Sequence, residues 1–348
     1  MTIQENIPLA PLTTLQVGGA ARYFAAAASE DDVRDAVRFA KTKQLPLFIL
    51  GGGSNLVVAD SGWPGLALKI TTGEVTSQKK EDAVTFDVGA GVNWDDFVAH
   101  AVAGNCARIE CLSGIPGSVG GTPVQNVGAY GQEVSDTIEF VRALDLKQDR
   151  VVELPNQDCG FAYRTSIFNT TERGRYIILR VSYRLQQDGA PSLKYADLKK
   201  HFSTWTAPPS LSDVREAVRH IRRSKGMLIV PGDEDSRSAG SFFKNPVLSE
   251  SQFQNLRGRA KSRGLEIPSY PALAAQHKIS AAWLVEHSGF SKGYALGPAK
   301  ISSKHALALV NSGQASAADL VRMKEQIQNK VQENWSITLD PEPVFVGF

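Results

Sequence analysis

Two glycine-rich stretches are the first places in this chain where residue type and spacing could do chemistry. Gly51-Gly52-Gly53-Ser54-Asn55 follows the short apolar run Leu45–Leu50. Glycine adopts φ > 0 without steric cost and carries no Cβ, so successive N–H groups can converge on a phosphate. A dinucleotide fingerprint would need Gly or Ala at position 56 and then a helix, but Leu56 stands there and Val57-Val58 continue as strand. The GK[ST] of a P-loop is missing too. Alone, the stretch fits a tight turn better than a phosphate cradle. The second stretch, Leu112–Pro123, holds Ser113, Gly114, Pro116, Gly117, Gly120 and Gly121, and Gln125, Asn126 and Gly128 follow directly. Its apolar residues argue against a disordered linker. A buried irregular backbone needs partners for its polar groups, which a large, multiply hydrogen-bonding cofactor would supply.

Single polar residues come next. Arg164, in Phe161-Ala162-Tyr163-Arg164-Thr165, carries a permanent charge that suits two-pronged carboxylate binding or a surface ion pair. Ser241, in Ala239-Gly240-Ser241-Phe242-Phe243, has no GxSxG elbow around it, so a hydrolase nucleophile is not indicated. Near the end, Asp340 and Glu342 are competing carboxylates. Cys106, Cys111 and Cys159 have neither CxxC spacing nor neighbouring histidines and read as reduced thiols, with no metal site expected.

The elements that must position these residues are legible in the pattern. Ser29 before Glu30, Asp31 and Asp32 starts a helix with Val33, Ala36, Val37 and Ala40 on one face. A second helix runs from Asn93 to about Ala103, and strands read at Val84–Val88, Ile138–Leu146 and Tyr176–Leu185. After Ala207-Pro208-Pro209, Ser212 is expected to cap a helix that ends in Arg222, Arg223 and Lys225, where the helix dipole accounts for the cations. Ser280 caps another helix, Leu320, Met323, Ile327 and Val331 mark a last one, and Trp335, Ile337 and Leu339 alternate as a strand. A net charge of +2 without basic runs excludes a nucleic-acid surface. No stretch approaches the roughly 18 apolar residues of a membrane span. The first residues lack a signal-peptide pattern, so a cytoplasmic location is expected.

The pair GGGSNLVV and GIPGSVGGTPVQNVGAYG resembles the flavin domain of the vanillyl-alcohol-oxidase-like superfamily, in the branch of the UDP-N-acetylenolpyruvoylglucosamine reductases. The likeness continues through FAYRTSIF, AGSFFKNP and LDPE, in order along nearly the whole chain. It implies an α+β fold: a two-lobed FAD-binding domain over 12–205 (lobes 12–75 and 76–205) and an α+β substrate domain over 206–348. A final strand, 336–348, would return to the flavin. It implies non-covalent FAD on the residues from Gly51 to Asn55 and from Ser113 to Gly128 named above. NADPH would be the reductant, a UDP-linked enolpyruvyl ether the substrate, and a monomer the working form. By the same resemblance hydride passes to C3, Ser241 gives a proton to C2, and Arg164 and Glu342 stabilise the enolate between. Tyr163, Tyr195, Lys225, Asn245 and His305 match substrate-contacting positions; Tyr163 also suits packing, Lys225 the helix dipole and His305 a satisfied structural role. Pro343 stands where a hydrogen-bonding strand residue is expected. The competing readings are a flavin-dependent alcohol oxidase of the same superfamily, which would lack AGSFFKNP and the terminal glutamate, and a non-catalytic nucleotide-sugar or flavin-binding protein.

Overall fold

A computed structural model describes residues 1–271 and 276–348. The chain forms two compact units. One comprises Met1–Ile7, Ala21–Gly53 and Pro64–Ser224; the other comprises Pro8–Ala20, Ser54–Trp63 and Lys225–Phe348.

In the first unit the helix Glu30–Thr42 begins as expected, with the Ser29 side chain accepting from the Asp32 N–H and Val33, Ala36, Val37 and Ala40 buried. Leu47–Leu50 runs parallel to Leu66–Lys69 and delivers the chain to Gly51. The larger sheet is antiparallel, in the order Arg150–Pro155, Ile138–Asp145, Tyr176–Gln187, Ala83–Gly89, Val75–Lys80. Asn93 caps the helix Trp94–Ala103, whose Trp94 and Phe97 pack on Tyr183 of the central strand.

Two expectations shift here. The helix Leu211–Ser224 is capped by Ser210, not Ser212: Ser210 Oγ accepts from Asp213 N–H while Asp213 accepts from Ser210 N–H. That places the cap one residue outside the first helical turn, as the geometry of N–H satisfaction requires. The units also do not divide at 205/206. Val214, Ala217 and Val218 pack with Cys111, Leu198 and Phe202, so the helix belongs to the first unit and the division follows Ser224. Residues 8–20 and 54–63 belong to the second unit.

The second unit contains a four-stranded antiparallel sheet in the order Ser238–Ser241, Ala308–Asn311, Ala299–Ile301, Ala295–Leu296. Ser280 caps the helix Ala281–Glu286 and Ser316 caps Ala317–Trp335. Trp335, Ile337 and Leu339 do not form the expected strand. Trp335 extends the buried helical stripe of Ile327 and Val331, and Ser336, at φ 57°, ends the helix in the left-handed conformation. The final strand is only Val344–Val346, parallel to Leu56–Val58. Pro343 costs the ladder nothing, because the first donor is Val344 N–H, to Asn55 O at 2.9 Å. Among the described residues no helix is long and apolar enough to cross a membrane.

Candidate functional site

The two glycine stretches meet backbone to backbone in the first unit. A Cβ on Gly52 would lie 2.5 Å from Gly117 Cα, and one on Gly51 would lie 2.7 Å from Ser118 Oγ. The second stretch is laid along Ala90–Trp94 by Val119 N–H to Val92 O, Gly120 N–H to Ala90 O and Trp94 N–H to Gly117 O. Gly121 instead faces open space: a Cβ there would have nothing within 4 Å. Ser118 Oγ is buried with no hydrogen-bond partner among the described residues. An orphaned hydroxyl beside glycines that admit close approach is what a bound phosphate- or amide-rich cofactor would satisfy, so the residues fit FAD.

Not every residue of the cradle faces a ligand. Ser113 Oγ donates to Glu110 O at 2.6 Å. Gly114 is pinned on both sides, its N–H on Asp95 Oδ1 at 2.6 Å and its carbonyl accepting from Arg222 Nε at 3.0 Å. The Asn126 side chain is committed, accepting from Ser135 N–H and donating to Glu133 and Ala162 O. Pro116, Gln125 and Gly128 lie in the same unit, while Ser54 and Asn55 fall in the second. Asp95 also accepts from Arg215 at 2.6 Å and from Arg219. These guanidiniums outweigh the burial that opposes them and hold the Asp95 carboxyl below its ordinary range. Asp95, Arg215 and Arg219 were missed from the sequence, although 215, 219 and 222 share one helix face by spacing.

Arg164 sits on a two-residue turn. Ala162 and Thr165 exchange both backbone hydrogen bonds at 3.0 Å, putting Tyr163 and Arg164 at the tip. Arg164 has φ 56°, a left-handed backbone that costs a non-glycine residue about 1–3 kcal/mol and persists where its surroundings over-determine it. Asn169 Nδ2 donates to Arg164 O at 3.1 Å, and Arg164 Nη2 donates to Gly128 O at 2.8 Å. The guanidinium also lies 5.3 Å from the Tyr163 ring centre. Tyr195 is exposed, its ring edge-on to Tyr130 at 5.2 Å.

In the second unit Ser241 and Glu342 are on adjoining segments. Glu342 N–H donates to Phe242 O at 2.9 Å, and Lys244 N–H to Asp340 O at 2.9 Å. Within the second unit Asn55 Nδ2 donates to Glu342 O at 3.2 Å, so Asn55 clamps the glutamate's own peptide. Glu342 is half-buried and Asp340 exposed, which favours Glu342 of the two carboxylates. Asn245 Oδ1 accepts from Ala281 N–H at 2.9 Å, at the start of a helix. His305 is held neutral, its pKa lowered to about 4 by burial and then by Lys225 and Lys292. Its Nδ1 accepts from Leu307 N–H at 3.1 Å, so Nε2 carries the ring proton.

The family described as UDP-N-acetylenolpyruvoylglucosamine reductase, C-terminal domain, matches residues 232–346, and the FAD binding domain family matches residues 21–154. The UDP-N-acetylenolpyruvoylglucosamine reductase of Thermobifida fusca is 44% identical, over 99% of this chain and 98% of that one. The enzyme of the same description from Streptomyces coelicolor is also 44% identical, over 99% and 91%. The crystal structure of the Thermus caldophilus UDP-N-acetylenolpyruvylglucosamine reductase superposes with a TM-score of 0.67 at 25% identity, covering 99% of this chain and all of that one.

Proposed function

The chain belongs to the UDP-N-acetylenolpyruvoylglucosamine reductases, FAD-dependent enzymes of peptidoglycan synthesis, and we propose that Arg164, Ser241 and Glu342 carry its chemical step. The observation behind the proposal is the Glu342–Phe242 backbone bond, which sets the glutamate beside the serine-bearing strand end. FAD held by the two glycine stretches would supply the hydride chemistry that links NADPH to C3 of the enolpyruvyl group. Negative charge then develops at C2 and spreads into the substrate carboxylate. Arg164 binds that carboxylate through two parallel N–H bonds and holds the charge, the kind of pre-aimed electrostatic contact that contributes most to such reactions. Ser241, whose hydroxyl makes no hydrogen bond among the described residues, donates the proton to C2. Glu342 serves the same charge as a donor or by orienting a proton or another donor, since an ionised carboxylate facing it directly would repel it.

Tyr195, Lys225 and Asn245 hold the UDP portion, and neutral His305 donates from Nε2 to a substrate oxygen. Gly51–Asn55 and Ser113–Gly128 hold FAD without a covalent bond: Cys106 and Cys111, the nearest thiols to the second stretch, are both buried. The reaction takes place in the cytoplasm, where both NADPH and the UDP-linked substrate are found. The test is turnover with NADPH and UDP-N-acetyl-enolpyruvoylglucosamine, followed by mass spectrometry. A product two mass units heavier, with all flavin released by denaturation, is expected. Oxidation of NADPH without any change in the sugar would sink the assignment.

A further inference from the structure

We propose that Glu110 is a positioning residue that sets Tyr195 for the UDP sugar, an inference that rests on the substrate role given to Tyr195 above. Glu110 is fully buried and takes no part in the chemical step. Three N–H donors converge on its two carboxylate oxygens. Oε1 accepts from Gln132 Nε2 at 2.9 Å and from Ser192 N–H at 2.8 Å, and Oε2 accepts from Arg108 N–H at 2.8 Å. Both oxygens must therefore accept, which a carboxylate can do and an amide cannot.

Two of those donors, Gln132 and Ser192, belong to the segments that carry the edge-to-face tyrosines Tyr130 and Tyr195. Gln132 lies in the hairpin that pairs Gly128–Ala129 with Gln132–Glu133, and Gln132 Oε1 also accepts from Cys111 N–H at 2.8 Å. The hairpin turns through Tyr130 (φ 50°) and Gly131 (φ 84°), a left-handed pair that fixes the direction of Tyr130. Ser192 begins the segment that leads to Tyr195 three residues later. A cavity of about 700 Å³, lined in part by Gln132, Ser192, Leu193 and Lys194, flanks that segment. On its other side Leu193 packs against the cluster of Cys111, Leu198 and Phe202. The Ser192 end is tied by its N–H to Glu110 and by its carbonyl, which accepts from Cys111 Sγ at 3.3 Å, and the other end by Tyr195 against Tyr130. Glu110 thus ties both tyrosines to one buried point.

The test is a double-mutant cycle on the FAD-loaded enzyme, with binding of UDP-N-acetyl-enolpyruvoylglucosamine read from the flavin absorbance in the absence of NADPH. Glu110→Gln keeps the shape but turns an N–H toward a backbone donor; it should raise Kd about tenfold, as for one lost buried hydrogen bond. On a Tyr195→Ala background the same change should raise Kd by less than about twofold, because coupled residues are not additive. Gln132→Met, which cuts the tie from the hairpin side, should repeat the pattern and serves if Glu110→Gln does not fold. FAD affinity should be unchanged in all three. An equal effect of Glu110→Gln on both backgrounds, or no effect on Kd, overturns the proposal. If Tyr195→Ala alone binds the sugar as tightly as the unaltered enzyme, the substrate role of Tyr195 fails first and this inference with it.

Discussion

Arg164 and the Ser241–Glu342 pair are presented in opposite ways. Arg164 stands at the tip of a turn in a left-handed backbone, held by side-chain bonds from Asn169 and to Gly128. Ser241 ends a strand whose register shifts between Ser238 and Ser241, where Gly240 takes φ 72° without the cost a side chain would add, and Glu342 is fixed by main-chain bonds on both sides, to Phe242 and through Val344 to Asn55. The first arrangement stores strain and depends on individual side chains. The second depends on the ladder, so a side chain there can be exchanged without moving its neighbours. One site is therefore sensitive in geometry and the other mainly in chemistry.

The largest effect should come from the ladder-held region. Ser241→Ala should leave NADPH bleaching of the flavin normal in stopped flow. Reoxidation by the enolpyruvyl substrate should slow about 10²–10⁴-fold, the usual worth of a positioned general acid. Ser241→Cys should keep more activity than Ser241→Ala. Equal slowing of both half-reactions would mean that the serine is structural.

Next come the glycines. Gly52→Ala drives a methyl into the Gly117 backbone and should destabilise the apoprotein by about 1–3 kcal/mol as well as weaken FAD. Gly121→Ala meets no protein atom, so the apoprotein should melt as before while FAD binding weakens. Calorimetry of the apoproteins with flavin titration decides it; a Gly121→Ala variant that binds FAD normally would remove Gly121 from the cofactor surface.

Arg164 tests the strain itself. Arg164→Lys keeps the charge but loses the fork and should lower kcat about tenfold. Arg164→Gly should lose more activity yet melt no lower than the unaltered enzyme, because glycine relieves the left-handed backbone of about 1 kcal/mol or more. A marked fall in Tm for Arg164→Gly would show that the side-chain bonds outweigh the strain.

The smallest effect is His305. Its folded pKa, about 4, lies below the ordinary 6.5, so the unfolded chain takes up the proton first. Its contribution to stability is complete above about pH 6.5 and is lost as pH falls toward 4. His305→Gln should flatten that slope in a melting series from pH 7 to 4; an unchanged slope would place the acid sensitivity elsewhere.

Local signals were readable because local physics controls them. Ser29, Asn93 and Ser280 cap the helices that their spacing announces, since an orphan N–H two or three residues on is satisfied within one turn. The apolar stripe from Leu320 to Val331 is buried as its period requires. Trp335 shows the limit: alternation with Ile337 and Leu339 assigned it to a strand, although it also continues the helical spacing of Ile327 and Val331. Its burial on Trp283 and its Nε1 bond to Ser288 Oγ settled the matter in favour of the helix.

By itself the sequence determined five of the helices, though not Ala196–His201 or Glu250–Lys261, the main strands, the two glycine stretches and, through ordered motifs, the residues that suit an enolpyruvyl reductase. It also contained the three arginines of one helix face, though not the carboxylate they meet. Only the tertiary structure brought Gly52 against Gly117, Asp95 against Gly114, and Glu110 against Gln132 and Ser192. It likewise joined residues 8–20 and 54–63 to the C-terminal unit. The reason is range: caps and periodicity act within a few residues, whereas these contacts link positions tens of residues apart and exist only once separate elements have packed.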